Sequence, residues 1–278
     1  MPFSARQGFF KPASGGGADW QPNEITTQIW MKAESSEITA SGTNVTSWNN
    51  KANGTGQQDF TQSTSSKQPT FDSTDKHVLF DGSDDFLQAD SRFSFNGSDA
   101  ICMVAVVDIV AYTSQFSGVA DKFFQVAGPP GGGSGAHGAF SVAAGSGSVG
   151  LNNRFNNGFS AFGNGGTGVK KMVSSSMGAG DPYHGSKMFL NGADLGSRSS
   201  GSGTSTLDLD DDFSYLGGGP GGGTNQFMFA NAKMYELVCI EDSSDTNRQL
   251  LEGYMAWEHG LNGSLPADHP YKNARPTV

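Results

Sequence analysis

Lys187-Met188-Phe189-Leu190-Asn191-Gly192-Ala193-Asp194-Leu195 decides the class of fold. Asn-Gly stands between two apolar runs. A type I′ turn needs positive φ at both central residues, and this pair accepts it, so the stretch reads as a tight antiparallel hairpin. Working outward, Ile101–Tyr112 is an almost unbroken run rich in Val and Ile. It reads as a central strand buried on both faces. His77-Val78-Leu79-Phe80-Asp81-Gly82-Ser83-Asp84-Asp85-Phe86-Leu87 reads as strand, tight turn, strand. Shorter strands are expected at Ile29–Ala33, Val45–Trp48, Phe123–Val126, Ala139–Val142, Val149–Leu151, Phe159–Phe162, Val169–Ser174 and Ser214–Leu216. Phe227–Ile240 closes the series as one long strand or two adjoining ones.

Composition agrees. Gly reaches 40 residues, about twice average usage. Ser, Thr, Asn and Asp favour turns over helix interiors. The 20 Phe suit pleated, half-buried surfaces. One helix is expected from about 244 to 260, where Leu250, Leu251, Tyr254 and Trp257 keep helical spacing and Gly260 closes the end. Residues 1–18 read as a docking arm, with Phe3, Arg6, Phe9, Phe10 and Lys11 as its contact residues. Residues 19–262 form one all-β domain without an internal boundary. Residues 263–278 are expected to be extended, because their prolines oppose helix.

The net charge of −10 argues against a nucleic-acid or polybasic membrane-surface partner. No apolar stretch is long enough to span a bilayer, and the start lacks a secretory apolar region, so neither membrane insertion nor secretion by a signal peptide is expected. Cys102 and Cys239 lie inside apolar runs and are expected as buried free thiols.

Several segments, taken in order, carry a resemblance. They are Trp30-Met31-Lys32-Ala33, Val45–Lys51, Lys67-Gln68-Pro69-Thr70-Phe71, Val78–Leu87, Leu190-Asn191-Gly192 and Ala232–Val238. Together they resemble the concanavalin A-like/laminin-G-like jelly-roll domains of bacteria and phages. Leu251–Leu261 followed by Leu265–Tyr271 is similar to the closing segment of such domains in aquatic bacteriophage virion proteins, and Phe3–Phe10 resembles the start of phage virion proteins. The resemblance implies a two-sheet antiparallel jelly-roll sandwich with an N-terminal arm and one C-terminal helix. It implies a non-enzymatic virion component (capsid decoration, fibre or tail-associated subunit), made in the host cytoplasm. Its partners would be other virion proteins, further copies of itself and a host-surface glycan. The alternative is a carbohydrate-binding adhesin or receptor-binding protein outside any shell.

Candidate chemistry is sparse. The Glu-x-Asp-x-x-Glu triplet of jelly-roll glucanases is absent, so no catalytic residue is assigned. Glu236 reads as a rim or strand-end carboxylate. Asp181, Tyr183 and His184 form a polar, aromatic loop suited to a glycan. Asp81, Asp84 and Asp85 share one turn, and Asp208, Asp210, Asp211 and Asp212 another. Hard carboxylate oxygens suit Ca²⁺, although Asp side chains capping turn amides is the preferred reading. No other cofactor is expected.

Overall fold

A computed structural model describes residues 18–54, 57–89, 99–111, 121–126, 138–145, 148–155, 158–163, 166–181, 187–196, 214–218 and 229–278. The arm residues Phe3, Arg6, Phe9, Phe10 and Lys11, the loop residues Tyr183 and His184, and Asp208 to Asp212 lie outside them.

Among the described residues the chain forms seventeen strands and one α-helix. In order they are β1 (Thr27–Lys32), β2 (Ile38–Ser41), β3 (Asn44–Trp48), β4 (Phe60–Thr61), β5 (Thr70–Asp72), β6 (His77–Asp81), β7 (Leu87–Ala89), β8 (Ile101–Ala111) and β9 (Asp121–Val126). Then follow β10 (Gly138–Gly145), β11 (Ser148–Phe155), β12 (Gly158–Gly163), β13 (Lys171–Met177), β14 (Lys187–Leu190), β15 (Ala193–Asp194), β16 (Ser214–Leu216), β17 (Asn231–Ile240) and α1 (Asp245–Glu258). The protein is therefore all-β with one helix. The β14–β15 hairpin turns as its sequence requires, with φ of 49° at Asn191 and 79° at Gly192.

The pairings are antiparallel and fall into two ladders. The first runs β1–β17–β8–β13–β14–β15. The second runs β2–β3–β4–β7–β16–β9–β10–β11–β12. Strands β5 and β6 link them, because β5 pairs with β3 and β6 with the start of β17. Hydrogen bonds thus join all seventeen strands into one network.

Strand β8 lies at the centre, as its apolar run predicts. Its odd-numbered residues Met103, Ala105, Val107 and Ile109 point into a core shared with Trp48, Phe60, Phe80, Leu87, Phe124 and Leu216 of the other ladder and its links. Its even-numbered residues Cys102, Val104 and Val106 face Leu251, Tyr254 and Met255 of α1. Alternation on one strand therefore feeds two cores. Both cysteines are buried and free, as expected.

Strand β17 breaks alternation. Its register against β8 slips between Met234 and Glu236, so one extra residue stands on β17. Such a bulge re-aims the side chains that follow it. Ala232 and Met234 point into the first core, but beyond the bulge Leu237 and Cys239 do so. Glu236 is thereby turned to the helix side.

Helix α1 has the ends its sequence prescribes. The Ser244 hydroxyl accepts from the Asn247 amide at 3.3 Å, an N-cap, and Asp245 occupies the positive first turn. At the far end Gly260 takes φ of 71° and the Leu261 amide reaches the Ala256 carbonyl at 2.6 Å, a Schellman closure.

The tail is not extended. It forms a 3-10 turn at Asn262–Ser264 and further turns to Pro270. It is also pinned. Trp257 donates its indole N–H to the Tyr271 carbonyl, and the Val278 amide reaches the Ala18 carbonyl. The described start and the end of the chain are therefore stitched together.

Candidate functional site

Alternation also builds the outer surface of the second ladder. Strand β3 buries Val45 and Trp48, β4 buries Phe60, and β7 buries Leu87 and Ala89. The intervening Thr46, Thr61 and Gln88 therefore face outward, with Thr61 and Gln88 directly opposite each other. The segment between β4 and β5 folds back over this row. Its Gln62 is held at both ends: the side-chain N–H donates to the Phe86 carbonyl at 3.3 Å, and the side-chain carbonyl accepts from the Thr64 amide at 3.0 Å. Gln68 donates to the Gln62 carbonyl at 2.8 Å. The result is a 520 Å³ cleft lined by Thr46, Thr61, Gln62, Ser63, Gln68, Phe86 and Gln88. That volume lies within the range of about 300–1,000 Å³ typical of small-molecule sites. Among the described residues the lining holds three carboxamides, three hydroxyls and one ring, and none of these is charged. Amides and hydroxyls both donate and accept, so this surface matches a ligand bearing many hydroxyls.

The acidic turn adjoins this cleft, because Asp85 precedes Phe86. One ligand oxygen each from Asp81, Asp84 and Asp85 lies within 4.8 Å of the others. Backbone amides already use part of this set. Asp81 accepts from Ser83 and Asp84, while Asp85 accepts from the Asp81 amide at 3.0 Å. Burial, with the neighbouring Asp81 and Asp84 carboxylates, pushes the Asp85 carboxyl up to about 6, against that amide bond. A divalent cation would relieve the crowding, so these oxygens fit Ca²⁺ as a partial set, fewer than its usual six to eight ligands.

Asp181 is elsewhere. It closes the turn after β13, accepting from the Gly178 amide at 3.0 Å. A second cleft of 390 Å³ is lined by charged groups including Lys187, Asp245, Arg248 and His269. Its floor is occupied internally. Arg248 donates to Asp245 and to the fully buried Glu252, and its guanidinium lies 3.6 Å from the Phe189 ring centroid. His269 meets Glu252 at 3.2 Å and accepts from the Tyr271 amide. Ser174 donates to Glu252 at 2.6 Å. These groups spend their hydrogen bonds on one another.

Glu236 is not a rim carboxylate. It is fully buried between β17 and α1. It accepts from the Trp30 indole at 2.7 Å and the Tyr254 hydroxyl at 3.1 Å, and meets His259 at 2.8 Å. Lys32 stands directly opposite on β1, and its ammonium reaches Glu258 at 3.1 Å. The bulge explains the misplacement, since strict alternation would send Glu236 the other way. Burial holds the Cys102 and Cys239 thiols above their usual range, so neither is a nucleophile.

No family model and no curated protein matches the sequence. Solved structures do. A GH54 α-L-arabinofuranosidase superposes with a TM-score of 0.55 at 13% identity, over 87% of this chain and 60% of that one. An arabinofuranosidase bound to arabinofuranosyl-α-1,2-xylobiose gives 0.52 at 12% identity, over 78% and 50%. A Trypanosoma rangeli sialidase in complex with sialic acid gives 0.48 at 11%, over 83% and 33%. The chain thus spans about a third of the sialidase and no more than 60% of these arabinofuranosidases. At such identities the likeness is one of fold. It corrects one expectation. Glycoside hydrolases share this fold, so the expectation of a non-enzymatic chain does not stand. The missing carboxylate triplet excludes one way of building a glycosidase, not catalysis itself. Among the described residues no helix is long and apolar enough to cross a membrane.

Proposed function

We propose that this chain is a carbohydrate-binding protein built on a two-sheet, concanavalin A-like jelly roll, and that the β3–β4–β7 cleft holds the sugar. The two ladders enclosing one apolar core support the jelly-roll reading. The observation that carries the function is the cleft itself, with anchored carboxamides, hydroxyls and one ring on an open sheet face. The glycan-acting arabinofuranosidases of similar fold agree with a sugar as ligand. Calorimetric titration of the full chain with an oligosaccharide panel tests the reading. Saturable binding that falls about tenfold or more in Gln88→Ala is expected. An absence of binding across the panel at millimolar concentration ends it. Release of reducing sugar from a bound glycan would add turnover to the reading.

Calcium belongs to the same proposal at Asp81, Asp84 and Asp85. Added Ca²⁺ then raises the melting temperature of the chain, and Asp84→Asn loses that rise. No shift in either protein would leave the turn as a backbone cap.

The resemblance of Leu251–Leu261 and Leu265–Tyr271 to phage virion proteins supports a place in a particle, among other virion proteins and further copies of this chain. Mass spectrometry of purified particles encoding the chain counts its copies, and finding none removes that setting.

A further inference from the structure

The cleft also carries information about charge. This step rests on the cleft being a sugar site. We infer that it selects neutral glycans and rejects those bearing carboxylate or sulfate groups.

Anionic sugars are held by fixed cations, most effectively by the planar fork of Arg. Among the described residues the cleft lining contains neither Arg nor Lys. Among the described residues Lys67 stands beside it, with its ammonium 5.8 Å from the Phe86 ring centroid. Against that charge stand, when no Ca²⁺ is held there, Asp81, Asp84 and Asp85, on the turn that leads directly into Phe86. The chain as a whole carries −10. A carboxylate or sulfate brought here would meet like charge. Neutral hydroxyls suit the cleft instead. Gln62 is fixed at both ends, so its amide is preorganised. Gln68 spends one N–H on the Gln62 carbonyl and keeps its own carbonyl oxygen to accept from a guest hydroxyl. Thr61 and Ser63 add exposed hydroxyls at the mouth.

The experiment is a glycan array of neutral, carboxylated and sulfated oligosaccharides, followed by calorimetry on matched pairs differing by one acidic group. The full chain is used at fixed ionic strength with a chelator present, so that no Ca²⁺ offsets the Asp81, Asp84 and Asp85 carboxylates. Neutral members should bind, and the acidic partner of each pair should bind at least about tenfold more weakly. Thr61→Lys places a cation on an exposed strand position without touching a core, and it should narrow that gap. Circular dichroism confirms that the variant is folded. Acidic partners binding as well as neutral ones overturn the charge selection. The cleft would still stand as the sugar site if Thr61→Lys changes the affinities. Equal preference in wild type and Thr61→Lys, with both binding, places the sugar elsewhere and overturns the selection as a property of this cleft. Binding to no glycan removes the proposed function together with this inference.

Discussion

The two faces of β8 are built from nearly the same residues and yet bury different chemistry. One face sends Met103, Ala105, Val107 and Ile109 into a core of largely apolar side chains. The other sends Cys102, Val104 and Val106 under α1, where Glu236 and Glu252 are also fully buried. Apolar burial is non-directional and yields stability roughly in proportion to area. A buried carboxylate is directional, and its desolvation can outweigh its pairing. On the helix face α1 has one docked position, in which Arg248, Ser174 and His269 all meet Glu252. The comparison leads to the hypothesis that the ionic network specifies where the helix sits, while the apolar contacts hold it there.

The strongest way to break this contrast is Glu252→Ala. Arg248 and His269 would be left buried with one partner removed. Breaking a buried pair in this way costs about 3–5 kcal/mol, to be read from the urea midpoint. The informative companion replaces Glu252, Arg248 and His269 together with Leu, Met and Leu. Removing these three members together should change stability by less than about 1 kcal/mol or raise it. If the triple variant is as unstable as the single one, the network is a source of stability and the contrast between the faces disappears.

A smaller break targets the tail that seals the helix face. Gly253 lies on α1 where an added Cβ would stand 2.6 Å from Tyr271 Cβ and Cγ. Alanine favours the helix by about 1 kcal/mol, but overpacking costs about 1–3 kcal/mol. Gly253→Ala is expected to lower the melting temperature and to speed proteolysis after residue 261. A stabilised variant with an unchanged digestion pattern would mean that the tail gives way at no cost and seals nothing.

The sequence shows the elements of both faces far better than their assignment. β8, the Asn191-Gly192 hairpin and α1 are legible because each rests on a local rule: an apolar run, a positive-φ pair, a cap and a period. The role of Glu236 is not legible, because a single extra residue at Tyr235 reverses the parity of β17 and bulges carry no clear sequence signal. The tail misleads for a related reason. Its prolines forbid helix but do not require extension, and turns satisfy them equally well. The cleft was missed because its residues are ordinary Gln, Thr and Ser. They become a site only when β3, β4 and β7 are brought side by side from distant parts of the chain. One signal was available: Gln62 and Gln68 interrupt a stretch between two strand candidates, flanking a short polar turn. The acidic turn was visible, since Asp81-Gly82-Ser83-Asp84-Asp85 is local.

The helix cap offers a finer test. Ser244 supplies the one side-chain acceptor that α1 shows at its N-cap. Ser244→Ala should cost about 1 kcal/mol, a shift of about 2–4 °C for a chain of this size. The loss should fall on the helix face alone. Hydrogen exchange should quicken in the first turn of α1 and stay unchanged in β3 and β7. Equal quickening in both would show that the two faces unfold as one unit, and the separation drawn between them would fail.

The smallest effect concerns His77, at the border of the helix-side surface. Its ring lies 5.5 Å from that of Tyr235, whose hydroxyl donates to Asp75. Burial, with the nearby Lys233, holds the imidazole below its ordinary 6.5, and the Asp75 carboxylate only partly opposes this. A lowered pKa means that the unfolded chain binds the proton more readily. The His77 contribution is therefore fully present above about pH 6.5 and is lost as pH falls through the lower folded value. His77→Phe preserves the ring contact and removes the titration. Its stability should match wild type at pH 7.5 and exceed it at pH 5, as read from paired melting curves. Parallel curves at both values would mean that Asp75 compensates the proton fully.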